Sequence, residues 1–255
     1  VVAILISLGL TANVRYQVGK LAFTEDWARN SVYNTIQSDV QNAINSQYPN
    51  LPDARKSQIL AEEMGKARKG KTYTFKSAPY TGQNIELKNQ VKGTAEFIKD
   101  YYRDGNGQAY SPDIDPYYWN RYAKNVLEKG HIGDDVRNGM QWDTYQVAPH
   151  GRSIAAQDTF FPHFLAYLYK FVRFFSHSAT LWSVQTIVYP MLINSLTVLM
   201  IFLIGRKIAG NVGGFFGSLM AGLHSAYVSR TIHGDNDAFV LFFAILTLWL
   251  FVEAV

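Results

Sequence analysis

A chain of 255 residues with a net charge of +4 has room for one or two domains, and its Lys and Arg are scattered rather than stacked with aromatic residues along one stripe, which argues against nucleic acid as a partner. Cysteine is absent, so disulfides, thiolate zinc sites and cysteine nucleophiles are excluded. Apolar residues crowd into the last third, and the chain is expected to be mainly α, with polytopic membrane helices and a large helical external loop domain.

In chain order, Val1 to Leu10 is apolar and passes into Thr11-Ala12-Asn13-Val14-Arg15 without a small-residue cleavage pattern. Residues 1–19 are therefore expected to be the outer end of a first transmembrane helix, a signal-peptide remnant being the other reading. From 20 to 178 the chain is polar and too long for a simple connection, so it is expected to fold as an external loop region with a helical insertion. There Thr24 is placed to cap a helix with Glu25 and Asp26 in its first turn, and Val32, Ile36, Val40 and Ile44 recur along one face. Pro52 suits the first turn of a second helix, with Ile59, Leu60 and Met64 inward and Gly70 closing it. A third amphipathic pattern runs from Ile85 to Tyr102, with Leu87, Val91, Phe97, Ile98 and Tyr101 on related faces. These helices carry no evident chemistry and read as a structural elaboration or a partner surface. Asp104 to Asp115 has the length of a calcium loop, but Ala109 stands where Gly is required and Asp115 where Glu is usual, so a Gly-rich turn is expected instead.

Phe160 to Phe175 is aromatic with Lys170 and Arg173 embedded, which suits a helix along the membrane interface or one packed among neighbouring helices. Leu181 to Gly205 is uncharged and long enough to cross a hydrocarbon core of roughly 30 Å. Val212 to Val228 and Ala238 to Val252 are shorter apolar stretches, so residues 179–255 are expected to hold transmembrane helices with an external loop at 229–237. Gly210, Gly213, Gly214 and Gly217 give small-xxx-small spacings that let a neighbouring backbone approach. Arg206 and Lys207 lie in a short connection, the kind of loop that stays cytoplasmic, which places 20–178 and 229–237 on the extracytoplasmic side of a multi-pass cell-membrane protein. Both apolar ends look cut short; the chain reads as an N-terminal fragment, expected to be inactive alone.

Two acidic triplets, Asp113-Ile114-Asp115 and Asp235-Asn236-Asp237, would then share the outer face. An acid at the bilayer centre costs about 2.5 to 3.5 kcal/mol, so the second triplet belongs at the rim. Crowded carboxylates raise one another's pKa unless a cation neutralises them, and hard oxygen donors without a thiol suit Mg2+ or Mn2+. Arg230 adds a permanent positive charge suited to a phosphate or to one of the acids. By spacing alone, solvated turns are the stronger account, with Asp237 capping the last helix.

Four segments occur in an order that resembles the archaeal oligosaccharyltransferase catalytic subunit. They are Asp113-Ile114-Asp115-Pro116-Tyr117-Tyr118-Trp119-Asn120-Arg121, Ala148-Pro149-His150-Gly151-Arg152, Leu203-Ile204-Gly205-Arg206-Lys207 and Ser229-Arg230-Thr231-Ile232-His233-Gly234-Asp235-Asn236-Asp237. The resemblance implies a GT-C-like membrane fold and a metal-dependent glycosyltransferase acting in protein N-glycosylation. Its donor is a lipid-linked oligosaccharide of the dolichyl phosphate or diphosphate type, and its acceptor an Asn-x-Ser/Thr segment of a polypeptide. It further implies that Asp115 binds the metal and contacts the acceptor amide, with Asp113 as its acidic neighbour. Asp235 and Asp237 complete part of the metal shell, and Arg230 matches an arginine upstream of that motif. Two departures stand out: Gly234 runs straight into Asp235 where relatives commonly put two residues, often aromatic, and the segment from Lys20 to Tyr110 has no counterpart in shorter members. No Asn in the chain has Ser or Thr two positions later, which is compatible with life on a glycosylating face. Another polytopic glycosyltransferase using a lipid-phosphate sugar, or a non-enzymatic membrane subunit, are the competing readings.

Overall fold

The computed structural model describes residues 2–254; positions 1 and 255, the outer bounds of the first and last expected segments, lie outside the described residues. The chain is mainly helical and divides into two compact units, residues 21–109 and residues 1–20 with 110–255. The first acidic motif falls in the same unit as the membrane-length helices.

In the 21–109 unit, α2 (Phe23–Gln47), α3 (Asp53–Lys69) and α4 (Leu87–Tyr101) enclose a core with a short hairpin of β1 (Thr72–Thr74) and β2 (Asn84–Glu86). Val32, Ile36, Val40 and Ile44 are buried as their four-residue spacing predicts, facing Met64, Ala67, Tyr73 and Leu87. Gly70 closes α3 as expected. Three details differ. Thr24 does not cap α2, because the helix already starts at Phe23 and the Thr24 hydroxyl donates backward to the Leu21 carbonyl. Residues 84–86 are strand, since Ile85 pairs with Tyr73. Phe97 and Tyr101 are exposed because Leu87 and Ala95 form the buried face of α4.

The core of this unit holds one carboxylate, Asp39. It accepts from the Tyr73 hydroxyl (2.6 Å), the Ser77 hydroxyl (2.5 Å) and the Lys76 and Ser77 amides (2.9 Å each). Burial alone would raise its pKa, but the bonds from Ser77, Tyr73 and Lys76 outweigh burial and hold it below the ordinary value. A depressed carboxylate stabilises the fold above its unfolded pKa and loses that contribution as pH falls through the folded value. Residues 21–109 are therefore expected to lose protection early in acid. Asp39→Asn should flatten that acid step, as followed by amide hydrogen exchange of α2 between pH 5 and pH 2, at a cost of about 1 to 3 kcal/mol at neutral pH.

The other unit is built on a helical hairpin. A short turn α7 (Leu181–Ser183) and a π-helical turn at Val184–Val188 lead into α8 (Tyr189–Leu223), which leaves helical geometry at Ala209 and Gly210. Gly210 takes φ +67, a value that suits glycine, and the chain doubles back there. The two arms touch closely: a Cβ on Gly205 would stand 3.0 Å from the Gly213 carbonyl, and one on Gly222 3.1 Å from Val198. Gly213 and Gly214 thus permit close approach as their spacing suggests, but within the hairpin. Gly217 has no neighbour at that range.

The return arm differs from the continuous 212–228 helix expected. It ends at Leu223, and α9 (Ser225–Thr231) follows after extended backbone at His224. The break leaves the Gly222 carbonyl without its next-turn donor, and the buried Arg15 of α1 (Val2–Gly19) supplies one at 2.6 Å. Ser7 and Thr11 of α1 pack beside Ser218 and Gly222 of the same arm. Next, α10 (Asp237–Ala254) runs back along α8, and Lys207 meets Glu253 (3.6 Å) beside the bend. Among the described residues two helices are long and apolar enough to cross a membrane, Leu181–Leu223, which carries the bend, and Asp237–Ala254.

Helix α5 (Asp115–Lys129) and helix α6 (Phe160–Phe175) close the end opposite the bend. Between them lies a small antiparallel sheet of β3 (Asp135–Arg137), β4 (Met140–Asp143) and β5 (Arg152–Ser153). Trp119, Phe161, Tyr189 and Phe239 bring α5, α6, α8 and α10 into one aromatic core, with Phe161 5.4 Å from Trp119 and 5.2 Å from Tyr189 between ring centres. The first half of α6 is buried here, as packing among neighbouring helices requires, whereas Phe171, Phe174 and Phe175 are exposed.

Candidate functional site

The hairpin determines where the acidic motifs end up. Asn194 donates to the Thr231 carbonyl (3.1 Å) and Gln185 to the Gly234 carbonyl (2.9 Å), so residues 231–234 lie beside the start of α8, far from the bend. Helix α5 is held at that same end by its aromatic face. Both acidic motifs therefore meet at one end of the unit.

Asp113, Arg230, Asp235 and Asp237 line a polar cavity of about 280 Å³ with Pro112, Ser229 and His233. Asp115 does not line it. It is the exposed first residue of α5, and its charge is still felt at Asp235. Asp237 likewise opens α10, so two helix N-termini stand at this end, where partial positive charge favours carboxylates. Asp235 is held from several sides: its Oδ1 accepts from Trp119 Nε1 (2.9 Å) and from the Asn236 amide (2.6 Å), and its carbonyl accepts from the Tyr189 hydroxyl (2.8 Å). Burial raises the Asp235 pKa, the Asn236 and Trp119 bonds pull it down, and the charges of Asp237 and Asp115 add to the rise, for a net increase. His233 is pushed toward its neutral form by burial, against the pull of Asp113.

The donor chemistry suits a hard divalent cation, since three carboxylates line the cavity and a cation would favour the charged form of Asp235, which burial disfavours first and the charges of Asp237 and Asp115 disfavour further. Among the described residues no three His, Cys, Asp or Glu side chains come close enough together to hold an ion by themselves.

Sequence reasoning passed over the residue that joins the two motifs. Gln185 is fully buried in the π-helical turn; its Nε2 donates to the carbonyls of Pro116 (2.8 Å) and Gly234 (2.9 Å), and its Oε1 accepts from Asn120 Nδ2 (2.8 Å). Irregular helical turns of this kind are often found at functional sites. A lone Gln within an uncharged run was the available signal, because a buried amide must have partners. Gly234 completes the clasp with φ +75, and a Cβ there would meet the Gln185 carbonyl at 2.6 Å. Gly234→Ala is accordingly expected to destabilise this unit by about 2 to 4 kcal/mol through both strain and overlap, measured as a lowered Tm in detergent. The Ala148–Arg152 motif lies away from the cavity, around β5, where Arg137 donates to the His150 carbonyl (3.1 Å). Arg121 of the first motif pairs with Asp134 and with the buried Asp143 (2.6 Å), anchoring the sheet on α5.

Comparison with known proteins gives concordant results. The chain is 29% identical over 170 residues to a dolichyl-phosphooligosaccharide-protein glycotransferase of Methanococcus voltae, a match over 64% of this chain and 18% of that protein. It is 25% identical over 166 residues to the protein of the same name from Methanocaldococcus jannaschii, over 63% and 18% of the two chains. The subunit STT3B of the Arabidopsis thaliana dolichyl-diphosphooligosaccharide–protein glycosyltransferase is 28% identical over 152 residues, 56% of this chain and 19% of that one. The chain thus spans less than a fifth of the length of these relatives. No solved structure gives a significant match. The family described as oligosaccharyl transferase STT3, N-terminal, matches residues 87–255, which include the whole acidic cavity, and the chain belongs to that family.

Proposed function

We propose that this chain forms the membrane-embedded, metal-dependent part of an oligosaccharyltransferase, which transfers a glycan from a dolichyl-type phosphate or diphosphate donor to the Asn of an Asn-x-Ser/Thr acceptor. The observation that carries this reading is the convergence of Asp113, Arg230, Asp235 and Asp237 on one polar cavity at the head of apolar helices. A donor with a lipid tail and an anionic head needs that arrangement: apolar surface beside a rim carrying a cation site and an arginine.

The amide nitrogen of Asn is a poor nucleophile because its lone pair is delocalised into the carbonyl. Asp115, exposed at the start of α5, is available to accept an N–H of that amide and loosen the conjugation. Asp235 and Asp237, which line the cavity, would hold Mg2+ or Mn2+ only together with ligands from outside it, Asp115 at the nearby start of α5 being the first to draw in, and such an ion would supply Lewis acidity toward phosphate oxygens. Arg230 offers a second positive charge for the phosphate that leaves with the lipid. Trp119, Asn236 and Gln185 keep the acids in place. The extracytoplasmic side is the natural face for this rim, with Arg206 and Lys207 at the bend facing the cytoplasm, in a multi-pass GT-C-like arrangement.

The test is a transfer assay with the full-length protein, lipid-linked oligosaccharide and a peptide bearing Asn-x-Thr, beside a peptide with Gln in place of Asn. Glycan on the Asn peptide alone, abolished by EDTA and restored by Mn2+, is the expected result. Transfer to hydroxyl acceptors instead would favour another lipid-phosphate-sugar glycosyltransferase, and no transfer to either peptide would oppose the proposal.

A further inference from the structure

The family match begins at residue 87, which leaves most of the 21–109 unit without an assigned role. One end of that unit carries a run of aromatic side chains. Phe23 packs on Trp27 (4.8 Å between ring centres), Trp27 on Tyr102 (6.0 Å) and Tyr102 on Tyr101 (5.4 Å), and Phe97 lies one turn before Tyr101 on α4. These rings are not core: Trp27 is 48% exposed, Phe97 78% and Tyr101 79%. An exposed cluster of this kind, with polar ring atoms among apolar faces, differs from scattered surface hydrophobics and marks a contact surface.

The covalent path says where this end is tethered. Both points at which the chain enters and leaves the unit lie beside the patch, because Leu21 is two residues from Phe23 and Ala109 is bridged to Arg103. The preceding α1 ends at Gly19, whose backbone lies against Ile187 near the head of the first membrane-length helix. Phe23 is four residues further on, so it stays within about 14 Å of that point. Most cations around the patch are held by partners: Arg29 by Asp26, Lys99 by Glu96, Arg103 by Glu96 and Asp100, while Lys20 lies over the Tyr16 ring (5.8 Å). Long-range attraction to anionic lipid is therefore not the driving term. Trp and Tyr rings are the groups that settle at membrane–water interfaces irrespective of headgroup charge.

We infer that Phe23, Trp27, Phe97, Tyr101 and Tyr102 dock the tethered end of the 21–109 unit onto the lipid headgroup layer, so that the unit stands on the membrane. The inference rests on the membrane reading of α8 and α10, and not on the glycan-transfer chemistry.

These 255 residues hold no cysteine, so with any cysteine elsewhere in the full-length protein replaced by Ser a direct test is available. Single-Cys variants Phe97→Cys, Tyr48→Cys and Leu248→Cys of the full-length protein carry an environment-sensitive fluorophore in vesicles of phosphatidylcholine containing headgroup-level nitroxide lipid, with or without phosphatidylglycerol. All three positions are exposed, so the fold should tolerate the change, and Tyr48 lies at the far end of α2, roughly 30 Å from Trp27. The expected result is quenching of the Phe97 label at least ~3-fold stronger than that of the Tyr48 label, unaltered by phosphatidylglycerol. Equal, weak quenching at Phe97 and Tyr48, with the Leu248 label in α10 still reached by a nitroxide deep in the acyl chains, overturns the docking and leaves the membrane reading standing. A Leu248 label beyond the reach of any lipid nitroxide sinks both.

Discussion

Asp235→Asn in the full-length protein is expected to lower glycan transfer by about 100-fold or more while leaving the fold as stable as before, or more so. The two halves of that expectation come from one environment. Burial and the nearby charges of Asp237 and Asp115 outweigh the Trp119 and Asn236 bonds and raise the Asp235 pKa. A carboxyl whose folded pKa is raised is a liability to the fold once ionised: the penalty is absent below its unfolded pKa, grows as pH rises, and is complete above the folded value. The Asn amide retains an oxygen for Trp119 Nε1 and carries no charge, so it removes the repulsion at little cost in geometry. It also removes a strong ligand oxygen for a divalent cation. Transfer rate, Mn2+ dependence and Tm measured on the same preparation check this expectation. A variant that transfers at the parental rate, or that melts several degrees lower with unaltered metal dependence, would mean that Asp235 serves packing alone.

The second large effect is expected at Gln185. Gln185→Leu strips the donor shared by the Pro116 and Gly234 carbonyls and the acceptor of Asn120, leaving buried polar groups that cost about 1 to 3 kcal/mol each if no water reaches them. The motifs that this side chain ties together then drift, and transfer should fall by more than about 10-fold per folded molecule, because misplacement by an ångström suffices for such losses. Asn125→Leu is the matched control. It removes a buried amide that donates to the Ile132 carbonyl and to Asp134 (2.9 Å each) and touches neither acidic motif. Similar losses of Tm in both variants, with weakened Mn2+ activation only in Gln185→Leu, identify Gln185 as a positioning residue; equal activity in the two variants would reduce it to a structural amide.

The elements legible in the sequence are those set by local periodicity. The buried stripe of α2, the end of α3 at Gly70 and the apolar helices follow from spacing and length, and the acidic triplets were visible as charge beside uncharged runs. What escaped notice depends on contacts distant in sequence. Arg15 sits inside an otherwise apolar helix because Gly222, over two hundred residues away, offers it a carbonyl at the break before α9. Phe97 and Tyr101 fit a helical stripe equally well, but which stripe is buried was decided by α2 and by Ala95. Asp115 and Asp113 are two residues apart, yet only Asp113 lines the cavity. The clasp at Gln185 follows the same pattern: its partners are Pro116 and Asn120 of α5 and the distant Gly234, which the hairpin at Gly210 brings back to it.

The central claim is that the bend at Gly210 brings both acidic motifs to one membrane face, and thiol accessibility measures it most directly. Ile114→Cys, Asp237→Cys and Ile208→Cys, introduced singly into the cysteine-free chain, report on the first motif, the second motif and the bend. The account predicts that an impermeant maleimide added outside intact cells labels positions 114 and 237, and reaches 208 only after permeabilisation. Labelling of 114 and 237 from opposite sides would contradict it.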